Sequence, residues 1–304
     1  MKKRKKIGGR EWQWIQMSVI PVLHTLLFCY LTLFGIVIAF KDYKYNRGIF
    51  GSEWVGFKNF EFFIKSNDFF RLIRNTVGLN ALFIVTLMIA EIALAVVFYE
   101  LVSRKALKIY QTIMITPHFI SWVVVGYVFY AFLQPQHGIV NNMLGQLGIE
   151  PISFYNEPAY WPFILSFANI WKSVGMGCII YYATLMGIDV GLYEAARIDG
   201  ASKWQETKYI SLPMLSRVIV IQLILRIGGI FNSDFGLFYQ LTRNSGALYE
   251  TTDVIDTYIY RALRVIGDME LSAAVGLLQN VMGFVLVYIT NYTIRKYDDE
   301  LSLF

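Results

Sequence analysis

Charge is scarce in this chain, and cysteine is nearly absent. Asp, Glu, Lys and Arg make up 16% of the 304 residues against 56% hydrophobic types, too little charge to coat a soluble globule of this size. That excludes an ordinary water-soluble domain and fits a polytopic membrane protein with a mean hydropathy of +0.47. The two cysteines, Cys29 and Cys178, lie inside separate apolar runs, which rules out a disulfide framework or a Cys-based metal site. Both read as buried thiols. The three histidines, His24, His118 and His137, are far apart and in or beside apolar segments, so they read as packed or interfacial side chains, not catalytic ones. Also missing are a G-x-x-x-x-G-K-[ST] loop, an H-E-x-x-H pair and a G-x-S-x-G elbow, so no P-loop nucleotide site and no hydrolase constellation is written here. The net charge of +5 does not signal nucleic acid. In a membrane chain that sign follows from loops retained on the cytoplasmic side.

What is present is a series of long apolar runs. An α-helix needs about 20 apolar residues to cross the hydrocarbon core, and six segments meet or approach that length: 15–40, 75–99, 109–133, 161–187, 214–231 and 273–292. The first resembles a secretory signal but is too long and offers no small-x-small cleavage site, so it reads as an uncleaved span. The fold class expected is therefore all-α, one six-span membrane domain over 15–293, flanked by a basic N-terminus, 1–14, and a tail, 294–304. Six spans place both termini on one face. Residues 1–14 hold six Lys/Arg, 100–109 three, 188–217 four and 294–304 two, whereas the longer opposite connections, 41–74, 134–160 and 232–272, hold seven, none and three. The denser set is cytoplasmic by the positive-inside rule. Within 41–74, "FKNFEFFIKSNDFFRLIRNT" alternates Phe with charge and predicts one amphipathic helix at the outer interface.

Three charges fall at membrane depth, Glu91, Lys172 and Arg226, where each needs a partner or a wet cavity. Asn80 and Glu91 share a helix face, as do Gln222, Arg226, Gly229 and Ser233, and then Ser272, Gly276, Asn280 and Gly283. Asn169, Lys172 and Ser173 cluster within one turn. Such stripes serve helix packing or line a hydrated path for a polar solute, with Trp171, Phe231, Phe235 and Tyr239 as flat faces for a sugar ring. Glu91 has two candidate partners, Lys172 and Arg226.

The stretch "GLYEAARIDGASKWQETKYISLPML", 191–215, is different. From Leu192 strong helix formers run to Ile198, Asp199-Gly200 breaks them, and Ser202 with Gln205 makes a capping box for a second short helix over 203–209. Pro213 opens the fifth span. On physical grounds this stiff elbow either transmits force or lies on lipid, with Trp204 as its anchor.

The run Glu194-Ala195-Ala196, then Asp199-Gly200-Ala201, then Ile210-x-Leu212-Pro213 resembles the EAA loop of binding-protein-dependent ABC importer permeases. "WVGFKNFEFFI" with "FFRLIRNT", and "NIWKSVGMGCIIYYATLMGIDVGLYEAA", are similar to the corresponding segments of the carbohydrate branch, with its maltose-type and complex-oligosaccharide permeases. The resemblance thus covers most of the chain. It implies a type I importer permease, multi-pass in the cytoplasmic membrane of a prokaryote, with both termini cytoplasmic. The EAA helix would sit in a cleft of a separate ATPase subunit, with Glu194 pairing there and Gly200 allowing the turn. It implies as partners a second permease, two ATPases, an extracellular solute-binding protein and a sugar substrate, with no cofactor on this chain because ATP and Mg belong to the ATPase. The implied solute path passes Asn169 and the stretch Ile230, Phe231, Asn232, Asp234 and Phe235, which overlaps the stripes carrying Lys172, Ser173 and Arg226. Those two cations favour an anionic sugar. Two other readings are an enzyme acting on a lipid-linked sugar, with Asp253, Asp256 and Asp268 as its only acidic candidates, and an ion-coupled transporter using Glu91, for which no inverted repeat is visible.

Overall fold

The computed structural model describes residues 9–101 and 103–297; the outer parts of the two expected tails, 1–8 and 298–304, lie outside the described residues. The principal helices are α1 (Gly9–Thr25), α2 (Lys58–Ile64), α3 (Asp68–Glu100), α4 (Arg104–Ile115), α5 (Trp122–Leu133), α6 (Ile139–Gln146) and α7 (Trp161–Met186). After them come α8 (Val190–Ile198), α9 (Lys203–Glu206), α10 (Leu212–Gly228), α11 (Phe235–Leu241), α12 (Ile255–Arg261) and α13 (Met269–Tyr297). Among the described residues, five helical stretches are long and apolar enough to cross a membrane: Trp12–Phe40, Asp68–Glu100, Pro158–Met186, Lys203–Gly228 and Met269–Lys296. A sixth crossing requires Arg104–Phe119 and Trp122–Leu133 to be taken together, and these meet at 96°.

The span expected over 109–133 is therefore bent, and the cause is local. Pro117 has no N–H to continue the ladder, the chain tightens into a 3₁₀ turn at Thr116–Phe119, and Ser121 starts a fresh helix by accepting the Val124 N–H at 3.4 Å. The amphipathic helix expected over 57–76 is likewise two pieces. It stops at Ile64, and after Ser66-Asn67 the remaining residues belong to α3. Cys178 is buried, but Cys29 is exposed.

By contacts the chain divides into two compact units, one of residues up to Ser66 with Arg261–Leu278, the other of Asn67–Tyr260 with Gln279 onward. In the first, a two-residue hairpin pairs Lys41 with Trp54 and Asp42 with Glu53. The buried Lys41 ammonium closes its loop by donating to the carbonyls of Ile49, Phe50 and Ser52 at 2.7, 3.3 and 3.2 Å. Phe40 stacks on Trp54, and Ala39, Phe60 and Ala274 form the core.

In the second unit α3 packs along α7. Between lipid-embedded helices the gain is close contact rather than water expelled, so small residues set the approach. Gly175 lies against the Met114 backbone and Gly177 against the Glu91 carboxylate, where any side chain would collide. Leu79, Phe83, Trp161, Leu165, Leu237 and Phe238 fill one core cluster, and Ala95, Phe98, Cys178, Tyr181, Leu185 and Leu215 another.

Candidate functional site

Two constructions stand out in the second unit, an elbow between α7 and α10 and a polar cavity. The elbow starts at Asp189, whose side chain accepts the Gly191 N–H at 2.9 Å and caps α8. It turns at Gly200, whose φ of +82° suits a residue without a Cβ. There the Ala201 N–H reaches the Ala196 carbonyl at 2.9 Å and the Gly200 N–H the Arg197 carbonyl at 3.1 Å, the paired bonds that satisfy a helix C-terminus. Ser202 and Gln205 form the capping box read from the sequence, at 3.4 and 2.7 Å.

The second helix is not a separate piece, however, and here the expectation is corrected. A wide π turn, Thr207–Ser211, carries the chain past Pro213, so Lys203–Gly228 is one continuous helix. The wide turn takes up the irregularity that a proline without a donor imposes. The sequence reading also missed what locks the elbow. Arg197 clamps Glu206 through Nε at 2.8 Å and Nη2 at 3.2 Å, and Lys203 bonds both Glu206 and Glu100. Glu206 is 2% exposed, and beside it the buried Tyr193 hydroxyl meets Ser211 at 2.9 Å. The hydrogen-bonded Glu206 carboxylate holds the Arg197 pKa above its ordinary value. The available signal was the opposite charge of Arg197 and Glu206 on either side of a glycine break. Glu194 and Ala195 face outward, as do Asp199, Gly200 and Pro213, while Ala196, Ala201, Ile210 and Leu212 are half-buried. Glu194 has no ion-pair partner among the described residues.

The cavity encloses about 380 Å³ and is lined by α3, α7 and the end of α10. Asn80, Glu91, Asn169, Ser173, Arg226, Ile230, Asn232 and Asp234 border it, as does His118. The structure thus brings together six of the expected path residues. Glu91 pairs with Arg226, not Lys172: Arg226 Nη2 reaches its two oxygens at 2.8 and 2.6 Å. Glu91 is 1% exposed, while the Arg226 side chain is 23% exposed. Both side chains border the cavity, and the guanidinium is the more exposed of the two. Both bonds come from Nη2, which leaves Nε–H and the Nη1 hydrogens for other acceptors.

Beyond Gly228 the backbone is irregular, which is tolerable at membrane depth only where its polar groups are satisfied or wet. Asn80 donates to the Ile230 carbonyl at 2.8 Å and to Ser233 Oγ at 3.0 Å, and Gln279 donates to the Phe231 carbonyl at 2.6 Å. Asp256 accepts the Ser233 N–H at 2.7 Å and Gln279 Nε2 at 3.1 Å. Burial nevertheless pushes the Asp256 carboxyl pKa up against those bonds. Asp234 caps α11 by accepting the Leu237 N–H at 3.2 Å and takes the Trp122 Nε1–H at 2.7 Å.

Three expected path residues do not border the cavity. Lys172 turns to the α4–α5 bend, donating to the carbonyls of Pro117, His118 and Ile120 at 3.3, 2.7 and 2.5 Å and lying 5.1 Å from the Trp122 ring centroid. The break leaves the carbonyls of His118 and Ile120 for the buried ammonium, while that of Pro117 also accepts the Ile120 N–H at 3.2 Å. Phe231 is half-buried, and Phe235 packs on Tyr239 and Tyr260 at 4.9 and 4.8 Å. Trp171 lines a separate apolar hollow beside Phe129 and Phe167.

The acidic candidates for an enzyme do not converge. Asp253 pairs with Arg71 at 3.0 Å, Asp256 holds Ser233, and Asp268 caps α13 through the Leu271 N–H. Among the described residues no group of three or more His, Cys, Asp or Glu is placed to hold a metal ion.

Residues 92–298 match the protein family described as binding-protein-dependent transport system inner membrane component. Protein LplB of Bacillus subtilis (strain 168) is 36% identical over 289 residues, covering 95% of this chain and 90% of LplB. The polygalacturonan/rhamnogalacturonan transport system permease protein YteP of the same organism is 35% identical over 301 residues, covering 98% and 93%. The structure resembles a chain in the crystal structure of a bacterial ABC transporter involved in the import of the acidic polysaccharide alginate, with a TM-score of 0.86, 34% identity and coverage of 95% and 97%. The same likeness, at 0.84, 34% identity and coverage of 95% and 96%, extends to the bacterial alginate ABC transporter in complex with an alginate pentasaccharide-bound periplasmic protein.

Proposed function

The chain belongs to the family of binding-protein-dependent transport system inner membrane components, and we propose that it is the multi-pass permease subunit through which an ABC importer passes an acidic oligosaccharide. The observation that carries the cargo is Arg226, whose guanidinium is more exposed than its partner Glu91 in a largely apolar cavity that also presents Asn80, Asn169, Ser173, Asn232 and the carboxylate of Asp234. Asn80, Asn169, Ser173 and Asn232 offer hydrogen bonds to sugar hydroxyls, and the free donors of the guanidinium fork match a uronate carboxylate. Two relatives are named for acidic polymers, polygalacturonan and alginate, which supports the same class here.

A cavity alone moves nothing. The elbow supplies a rigid part joined to α7 at one end and continuous with α10 at the other, the two helices that carry Asn169, Ser173 and Arg226. In our reading Glu194, Ala195, Ala196, Asp199, Gly200 and Ala201 dock on an ATPase subunit, and Ile210, Leu212 and Pro213 pass its movement into α10. ATP and Mg then belong to that partner. A second permease, two ATPases and an external solute-binding protein complete the assembly, in keeping with the periplasmic protein in the related complex. The dense basic residues of 1–14, 100–109 and 188–217 support a cytoplasmic side for the elbow and both termini in this reading.

The test is uptake by the complete importer in proteoliposomes. A galacturonic acid trisaccharide should enter when ATP is supplied, and its carboxyl-reduced galactose counterpart should enter at least tenfold more slowly, about 1.4 kcal/mol of discrimination. Equal uptake of the two, or uptake by this chain without ATPase subunits, contradicts the proposal.

A further inference from the structure

A second cavity, of about 210 Å³, lies between α11 and α5. Val123, Gly126, Tyr127, Tyr239, Gln240 and Arg243 line it. Its floor is set by a close approach: a Cβ on Gly126 would come within 2.8 Å of the Gln240 carbonyl oxygen, so the two helices touch backbone to backbone. One wall is an aromatic stack, Tyr239 lying 4.9 Å from Phe235 at an interplanar angle of 20° and meeting the edge of Tyr260 at 5.0 Å.

Arg243 is held there at a cost. It and Asn244 both take the left-handed backbone conformation, at φ 55° and 49°, which non-glycine residues seldom adopt and which persists only where surroundings enforce it. The surroundings are visible. Thr242 Oγ1 accepts the Asn244 N–H, Tyr249 donates its hydroxyl to Asn244, and Ser245 Oγ reaches the Tyr155 carbonyl. The strained turn lays the guanidinium over the Tyr130 ring at 4.1 Å, and no carboxylate among the described residues pairs with it. A cation stacked this way keeps its in-plane N–H donors free for an anion.

We propose that this cavity is a second acidic-sugar subsite, in which Arg243 takes a uronate carboxylate, Tyr127 and Tyr239 flank the ring, and Gln240 takes its hydroxyls. It rests on the cargo proposed above. One short helix serves both sites: Leu237 borders the Arg226 cavity, while Tyr239 and Gln240 border this one. A chain of uronates would then engage a cation in each cavity. The aromatic walls favour a sugar over a lipid phosphate, which has no ring face to cover.

The experiment measures ATP-driven uptake of the galacturonic acid trisaccharide by the complete importer, in liposomes of neutral lipid and in liposomes containing phosphatidylglycerol. Arg243→Gln should raise the half-saturating concentration about tenfold while leaving the maximal rate within twofold. Arg243→Lys should recover part of the affinity, and Tyr127→Ala should weaken it severalfold. If the wild-type importer carries the uronide and Arg243→Gln leaves its half-saturating concentration unchanged, the subsite is refuted and the cargo reading stands. An Arg243→Gln loss in the maximal rate that Lys does not relieve marks a structural role, and a loss confined to phosphatidylglycerol liposomes assigns the cation to a headgroup. Either outcome overturns the proposal. A wild type that does not carry the uronide overturns the cargo reading as well.

Discussion

The elbow and the Arg226 cavity are each fastened by an arginine on a buried glutamate, yet the two pairs are built differently. Arg197 and Glu206 are nine residues apart and close a glycine turn, and the arginine is 51% exposed. Arg226 and Glu91 are 135 residues apart and join two spans, and the arginine is 23% exposed. The first is a local brace whose cation keeps much of its hydration. In the second, most of both charges is out of water, so removing either member strands the other.

The largest effect should therefore come from Glu91→Ala. It leaves Arg226 without its counter-ion and should cost about 3–5 kcal/mol, read as a fall in the thermal unfolding midpoint of the purified complex. Glu91→Leu with Arg226→Leu should recover most of that loss. Glu206→Ala should cost clearly less, because water and Glu100 remain for Arg197 and Lys203; a loss equal to that of Glu91→Ala would erase the distinction between the pairs.

Gly200→Val comes next. A β-branched residue at φ +82° should cost about 1–3 kcal/mol, and, on the coupling role proposed for the elbow, ATP-driven uptake should fall while uronide binding to the complex persists. Ser202→Ala removes the acceptor for the Gln205 N–H and should cost about 1 kcal/mol, seen in the same unfolding measurement.

The smallest effect belongs to Asp256. Burial raises its carboxyl pKa, so the folded chain binds this proton more tightly than the unfolded chain. Its contribution to stability therefore grows as pH falls through the raised value, levels off below the ordinary value of about 3.9, and is lost as pH rises again. Asp256→Asn keeps an acceptor for Ser233 and should flatten that part of the pH–stability profile. A profile unchanged in Asp256→Asn would show that the buried carboxyl does not titrate with folding.

How much of this was legible beforehand follows the same division. The Gly200 turn and the Ser202–Gln205 box depend on residues three to five apart, and the glycine and the Ser/Gln spacing showed both. The helical runs were legible for the same reason. The 96° bend was not, although Pro117 and Ser121 stand in plain view, because the apolar residues on either side add up to the length of one span. Nor was the choice of Arg226 over Lys172 as the partner of Glu91. Helical periodicity shows which residues share a face, but not which face meets which. Lys172 found carbonyls gathered at the bend between α4 and α5, and Asn80 and Gln279 found carbonyls left open where α10 ends early. Arg243 passed unnoticed because its isolation is a property of the fold.

The claim that the Arg226 guanidinium selects for an acidic sugar is tested by the uptake ratio between the galacturonic acid trisaccharide and its carboxyl-reduced form in Arg226→Gln, with Glu91→Gln introduced alongside to keep the pair neutral. The claim predicts that the preference for the uronide collapses to within about twofold while ATP-driven uptake of the reduced sugar persists. A preference as strong as that of the wild type, in a variant that still transports, would contradict it.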